Sequence, residues 1–233
     1  MFFFRDHLDL DLGASRVEIA FTDASVDLQG GDDKPGFAAD LGRVVDEAGV
    51  PFARLSQVHG ADVVEVVETP PRGPAEVPSA DGLVTVRPGI GLMVRAADCV
   101  PVLLADSATG LIGAAHAGRA GTALGVVPRT VERLRALGAR DLHAWIGPHV
   151  CGRCYEVPAA MREEVAALVP QTFSETRAGT PALDLGAGVH AQLTQDGVTV
   201  ATVPACTLEE TSLHSYRRDG AAAGRMAGLV WRR

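Results

Sequence analysis

The sequence predicts an α/β fold, one domain in which helices pack against a mixed β-sheet. Three observations lead there. Short apolar runs bounded by turn residues recur along the chain and read as strands. Segments with apolar residues at helical spacing lie between them, the interspersed order of a layered α/β protein. The 233 residues are 47% hydrophobic with 26 glycines and 14 prolines, enough for one sizeable core with many turns. No internal repeat, linker or charge run marks a boundary, so residues 1–233 read as a single domain.

Taken in order, residues 16–21 read as a strand and 22–36 as a polar, Gly-rich loop. Leu41, Val44, Val45 and Ala48 give residues 37–48 a helical spacing. Residues 53–58 and 62–67 read as strands on either side of His59-Gly60, where glycine suits a tight bend. The stretch 69–78 holds four prolines and reads as a loop, and 80–86 and 91–96 add strands. Runs 100–105 and 111–115 flank Asp106-Ser107-Ala108-Thr109-Gly110 and read as a hairpin centred between Ala108 and Thr109. That register sets Val102 against Ala115 and Pro101 against His116. Cys99, Pro101 and His116 then share a face, with Cys99 one diagonal step from His116. A slip of one residue would part them. Residues 122–137 read as one helix through Leu124, Val127, Val131, Leu134 and Leu137, ending at Gly138. Beyond it, 142–146, 198–202 and 226–231 read as strands, and 158–168 and 185–195 as helices.

A formal charge of −8 removes the electrostatic basis for binding nucleic acid or an anionic membrane. The apolar start Met1-Phe2-Phe3-Phe4 meets Arg5 and Asp6 at once, so no signal-peptide core is expected. No run is long enough to span a bilayer, and a cytoplasmic location is expected. The sequence leaves the oligomeric state open. Four cysteines, Cys99, Cys151, Cys154 and Cys206, are too few and too scattered for a disulfide framework.

The chemistry gathers at three residues. Gln57-Val58-His59-Gly60 places a histidine at a strand end, and His59, Cys99 and His116 together offer two imidazoles and a thiolate. That is the donor set of a catalytic zinc site with its fourth position open. Without a metal, the same residues read as an inert core cysteine and histidines satisfied by backbone. Spacing alone does not choose between the two. Cys151-Gly152-Arg153-Cys154 has C-x-x-C spacing, but no second pair follows and no thioredoxin-like pattern precedes it, so it reads as structural. Cys206 reads as a small buried residue, and Tyr155 and Tyr216 as packed aromatics.

Six segments appear in the order of a known family: SQVHGADVVEV (56–66), ADGLVT (80–85), RAADCVPVLLAD (95–106), GLIGAAHAGRAGT (110–122), WIGPHVCGRCYEV (145–157) and HSYRRDGAAAGRMAGLVW (214–231). They resemble the polyphenol oxidase/laccase-domain family, also known as the peptidoglycan editing factor or purine nucleoside phosphorylase/adenosine deaminase family. The resemblance implies an α/β/α layered fold and a zinc ion, with copper the less favoured alternative, held by residues matching His59, Cys99 and His116. It also implies phosphorolysis of purine nucleosides and deamination of adenosine, with purine nucleoside and phosphate as partners. A zinc ion lowers the pKa of bound water toward ~7, as attack on C6 of adenine requires. Asp98, beside Cys99, is the candidate proton carrier. Phosphorolysis needs groups to hold phosphate. Arg119, in the Gly-rich turn before a helix, is read as catalytic, and Gln57, Arg217, Arg218 and Arg225 as binding substrate or phosphate.

Two departures stand out. The family's His-Ala-Gly-Trp-Arg-Gly is here His116-Ala117-Gly118-Arg119-Ala120-Gly121, and its N-terminal Thr-Arg-x-Gly-Gly gives way to Thr22-Asp23-Ala24-Ser25. Alternatives from other classes are a metal-free cysteine hydrolase with Cys99 as nucleophile and His116 as base, a cell-wall precursor editor, and an oxidase. The last fits poorly, because a multicopper oxidase needs many imidazoles and this chain has seven histidines with no His-x-His pair.

Overall fold

A computed structural model describes residues 1–11, 13, 15–30, 36–71 and 76–233. Parts of the expected loops 22–36 and 69–78 therefore lie outside the described residues. The strands are β1 Phe2–Asp9, β2 Arg16–Thr22, β3 Phe52–Ala53, β4 Val63–Glu65, β5 Gly82–Thr85, β6 Gly91–Ala96, β7 Val100–Asp106, β8 Ile112–Ala117, β9 Leu142–Ile146, β10 Phe173–Glu175, β11 Pro181–Leu183, β12 Thr199–Thr202 and β13 Met226–Arg232. The helices are α1 Phe37–Ala48, α2 Arg119–Leu124, α3 Val126–Ala136, α4 Ala159–Leu168, α5 Leu185–Gln195 and α6 Tyr216–Asp219. None of the described helices is long and apolar enough to cross a membrane.

The α/β class holds, but the strand layer is double. One sheet runs β1-β2-β13-β6-β3 and the other β12-β9-β7-β8-β5-β4, and both mix parallel and antiparallel pairs. Alternation along each strand shows how they stack. Val17, Ile19 and Phe21 of β2 share a core with Leu103 and Ala105 of β7, so the sheets face each other there. On the outer face of the first sheet, Ala20, Met93, Leu229 and Trp231 meet Leu41, Val44 and Val45 of α1. On the outer face of the second, Val100, Val102 and Leu104 meet Val127 and Val131 of α3 and Val189 of α5. The order of layers is α/β/β/α rather than helices around one sheet. Both faces of the inner strands are apolar, and that pattern alone does not say whether a strand faces helix or second sheet.

Several elements coincide with expectation and others differ for visible reasons. The hairpin pairs Val102 with Ala115 and Pro101 with His116. Of 53–58 and 62–67, only Phe52–Ala53 and Val63–Glu65 are strand. Between them the backbone amides of Val58, His59 and Gly60 turn to the Asp81 carboxylate instead of a neighbouring strand. The expected helix over 122–137 is two helices, because Gly125 adopts φ 78 and breaks it. The Thr122 carbonyl freed at that break accepts from Gly125 N and from Gln192 Nε2. The resulting α3 lies close on the second sheet, where a Cβ on Gly82 or Gly113 would meet Thr130 or Leu134 within 3 Å. β1 was not expected, since Arg5, Asp6 and Asp9 mask its alternation; it pairs with β2 as an edge strand.

Candidate metal centre

The site forms where the chain passes from one sheet to the other. β6 ends at Ala96 in the first sheet and β7 begins at Val100 in the second, so Ala97-Asp98-Cys99 is the crossover. His116 lies near the end of β8, and His59 stands on the turn between β3 and β4. The ligand atoms of His59, Cys99 and His116 all lie within 4.8 Å of one another. Cys99 Sγ is 3.8 Å from His59 Nε2, and the two imidazole rings meet edge to face with centroids 5.0 Å apart. His116 is buried and His59 exposed, so the group has a protein side and an open side.

Asp81 organises all of this. Wholly buried at the start of β5, it accepts Nδ1 of His116 at 2.8 Å and the amides of Val58, His59 and Gly60 at 2.7–3.1 Å. Burial alone would raise its pKa, but the His116 and backbone hydrogen bonds outweigh that and hold the carboxyl below the usual range. An ionised carboxylate only accepts, so Nδ1 of His116 carries the proton and Nε2 keeps its lone pair for an ion. Burial pushes the His116 pKa down, against the pull of Asp81, which keeps the ring neutral as a ligand must be. For Cys99, burial first and then Asp98 push the thiol up to about 12. That shift favours the neutral thiol over the thiolate that a nucleophile and a metal ligand both need, and a bound cation would reverse it.

The donors fit an ion in a further respect. Gly118 lies against them, where a Cβ would come 2.6 Å from His59 Cδ2 and 3.1 Å from Cys99 Sγ. Among the described residues, the positive φ values outside glycine belong to His59 (60°) and Asp98 (89°), both at this site. Such strain persists only where surrounding contacts over-determine it. A cleft of ≈ 1010 Å³ opens over the three donors and is lined also by Gln57, Arg95, Asp98, Tyr155, Arg217 and Arg225.

A family model described as multi-copper polyphenol oxidoreductase laccase matches residues 12–233. The chain belongs to this family. It is 51% identical over 207 residues to a purine nucleoside phosphorylase of Streptomyces griseus, covering 86% of this chain and 83% of that protein. With a purine nucleoside phosphorylase of Mycobacterium tuberculosis the identity is 49% over 207 residues, covering 86% and 81%. Among solved structures, YlmD from Geobacillus stearothermophilus matches with a TM-score of 0.78 at 27% identity, covering 93% of this chain and 92% of that one. A hypothetical protein, YfiH, of Bacillus licheniformis matches with a TM-score of 0.78 at 26% identity over 92% of each chain.

The other residues expected at the site divide. Asp98 reaches the cleft, but its carboxylate accepts from Thr207 Oγ1 (2.6 Å), Ser215 Oγ (2.7 Å) and Arg217 N (2.6 Å). It holds the C-terminal segment against the crossover. Gln57 also lines the cleft, yet its amide is spent on both backbone groups of Arg95. Arg217 lies over the Tyr155 ring at 4.8 Å and Arg225 near the Tyr216 ring at 5.8 Å, both on the cleft. Arg218 differs from expectation. Its guanidinium turns into its own loop, where it caps the carbonyls of Thr207 and Leu213 and donates to the Asp219 carboxylate. Arg119 opens α2 and is not among the cleft-lining residues, though its charge reaches Tyr155.

Sequence reading missed Asp81 and Arg95. Asp81 lies inside the quoted segment ADGLVT, but its partners are 21 to 35 residues away, and nothing local announces them. Arg95 is half-buried and donates to the carbonyls of Leu28, Gly30 and Leu55, tying three segments beside the cleft.

Proposed function

We propose that this chain is a zinc-dependent purine nucleoside phosphorylase that also deaminates adenosine, with the ion held by His59, Cys99 and His116. The observation that carries this reading is the convergence of two imidazoles and a thiol on one point at the mouth of a cleft rimmed by Arg217 and Arg225. Two histidines and a cysteine with an open fourth position suit zinc, and three donors are too few for a multinuclear copper site. The names of the relatives at about half identity support nucleoside and phosphate as substrates.

When bound, zinc supplies a Lewis acid and lowers the pKa of water to near neutral. The chain's own residues do the rest. Asp81 orients His116 and gathers the turn that carries His59. Phosphate is an oxyanion that arginine binds in a forked geometry, and Arg217, with Arg225, presents that charge on the open side. Tyr155 and Tyr216 offer aromatic faces to a purine, and burial keeps the Tyr155 hydroxyl a neutral donor. Asp98 acts by positioning, because its oxygens already accept from three donors.

The test is direct. Purified protein is incubated with inosine or adenosine, with and without phosphate, and the products are separated. Phosphate-dependent release of free base and ribose 1-phosphate is expected, with inosine formed from adenosine even when phosphate is withheld. Both should fall to background in His116→Ala. Equal product from wild type and that variant would overturn the assignment.

A further inference from the structure

A second group of metal-type donors stands apart from the cleft residues. Cys151, Cys154, Cys206 and Glu209 each offer one ligand atom, and those atoms all lie within 4.8 Å of one another. We propose that they form a second metal centre, a structural site for zinc or a similar thiophilic divalent cation bound by three thiolates and one carboxylate.

Two turns from distant parts of the chain build it. In the first, the amides of Cys154 and Tyr155 both donate to the Cys151 carbonyl, at 2.9 and 3.0 Å, so the C-x-x-C loop curls tightly and brings its sulfurs together. In the second, the amides of Glu209 and Glu210 donate to the Cys206 carbonyl, at 3.1 and 2.9 Å, which returns the Glu209 carboxylate towards its own cysteine. The turns meet because β9 and β12 are parallel neighbours and pairing continues past them, with His149 bridged to Cys206. The amide of Cys151 donates to Cys206 Sγ at 3.4 Å, which ties the two turns together at the sulfurs. Around a tetrahedral ion with Zn–S near 2.3 Å the sulfurs would stand about 3.8 Å apart, so the group needs only a small contraction.

Charge balance agrees. Three thiolates, a carboxylate and a divalent ion leave the site at −2, and the Arg177 guanidinium offsets half of that charge. Its guanidinium donates to Cys154 Sγ at 3.6 Å and pairs with the Glu209 carboxylate. All four cysteines of the chain are free thiols, and the three here are partly buried, within reach of metal. The centre would also brace the cleft. Thr207, next to Cys206, donates to Asp98; Val150, next to Cys151, donates its amide to the Asp98 carbonyl; Tyr155 follows Cys154 directly.

The experiment uses reduced, full-length Cys99→Ser protein, in which the first centre has lost its thiolate. Cobalt(II) titrated into it should produce thiolate-to-metal charge-transfer absorption and bind one equivalent at this group. In Cys99→Ser/Cys206→Ser the band should weaken and that equivalent be lost. Glu209→Gln, an exposed and conservative change, should release the ion faster to a chromophoric chelator while circular dichroism stays unaltered. Absence of the charge-transfer band in Cys99→Ser, or a bound equivalent indifferent to both Cys206 and Glu209, would overturn the proposal. So would a Cys151–Cys154 disulfide in the reduced preparation. Because the first centre is disabled throughout, failure of the nucleoside assignment would leave this outcome untouched.

Discussion

Asp81 shows how much one buried carboxylate can organise. Its Oδ2 accepts the amides of Val58 and Gly60, and its Oδ1 accepts both the His59 amide and Nδ1 of His116. Replacing it with asparagine keeps the shape but removes the charge that selects the His116 tautomer. Loss of such an outer partner typically weakens metal affinity about 10–100-fold. Asp81→Asn should therefore lower zinc affinity by that order in a chelator competition, with far less effect on folding than Asp81→Ala. The alanine variant strands buried amides, at about 1–3 kcal/mol for each left unpaired. An unchanged zinc affinity in Asp81→Asn would show that the ring is held by other means. Gly118 gives a second prediction at this scale. A methyl there would press on His59 Cδ2 and Cys99 Sγ together, and the exposed His59 turn is the part able to yield. Gly118→Ala should lose zinc while its thermal midpoint in the metal-free state stays within a few degrees of wild type. The sequence let His59, Cys99 and His116 be grouped by donor type and by their positions at element ends, but those features fit an inert core equally well, and only the family resemblance favoured a metal. Asp81 and Gly118 were not legible, because their importance lies in contacts with residues remote in the chain.

At the level of elements, legibility followed periodicity. α1 and α5 were readable to the residue, because their apolar positions recur at helical spacing and glycine or a capping aspartate bounds them. The β7–β8 hairpin was readable in register, because its turn is short and both strands are apolar throughout. The break at Gly125 was hidden by the unbroken spacing of Leu124, Val127 and Val131 on either side of it. Breaking there lets α2 begin at Arg119 beside the cleft while α3 lies along the second sheet. Gly125 holds φ 78, a conformation that a side chain disfavours. Gly125→Ala should cost about 1–2 kcal/mol in urea unfolding. A stabilising effect, as expected for alanine inside a continuous helix, would mean that α2 and α3 form a single rod in solution. The ribbon of β10 and β11, with three residues to each strand, was too short for any periodicity to appear.

For the whole molecule, the stacking of two sheets is what places a cysteine from the crossover beside histidines of the second sheet and the His59 turn. Composition and pattern could not reveal that stacking, because a strand apolar on both faces looks the same against a helix or a sheet. One residue reports on it directly. Phe21, in the first sheet, is fully buried and occupies the space left by Gly147 at the end of β9 in the second. A Cβ on Gly147 would fall 2.2 Å from the Phe21 ring, and one on Gly228 in β13 would fall 3.1 Å from it. Gly147 also donates its amide to the Pro101 carbonyl at 2.9 Å, two residues beyond Cys99, so the notch adjoins the centre. Gly147→Ala alone should overpack the interface and cost about 1–3 kcal/mol. Phe21→Leu alone should leave a void and cost a comparable amount, since the ring has no room to be replaced by collapse. Together they should cost less than their sum, because the smaller side chain vacates the space that the methyl fills. A coupling of about 0.5–3 kcal/mol in that compensating sense is expected from a double-mutant cycle in urea. The cycle of Phe21→Leu with Gly125→Ala serves as the control, as Gly125 lies beyond the second sheet and should add within about 0.5 kcal/mol. Strict additivity of the Phe21 and Gly147 changes would mean that the sheets do not meet at this point in solution, and the crossover at Cys99 would need another explanation.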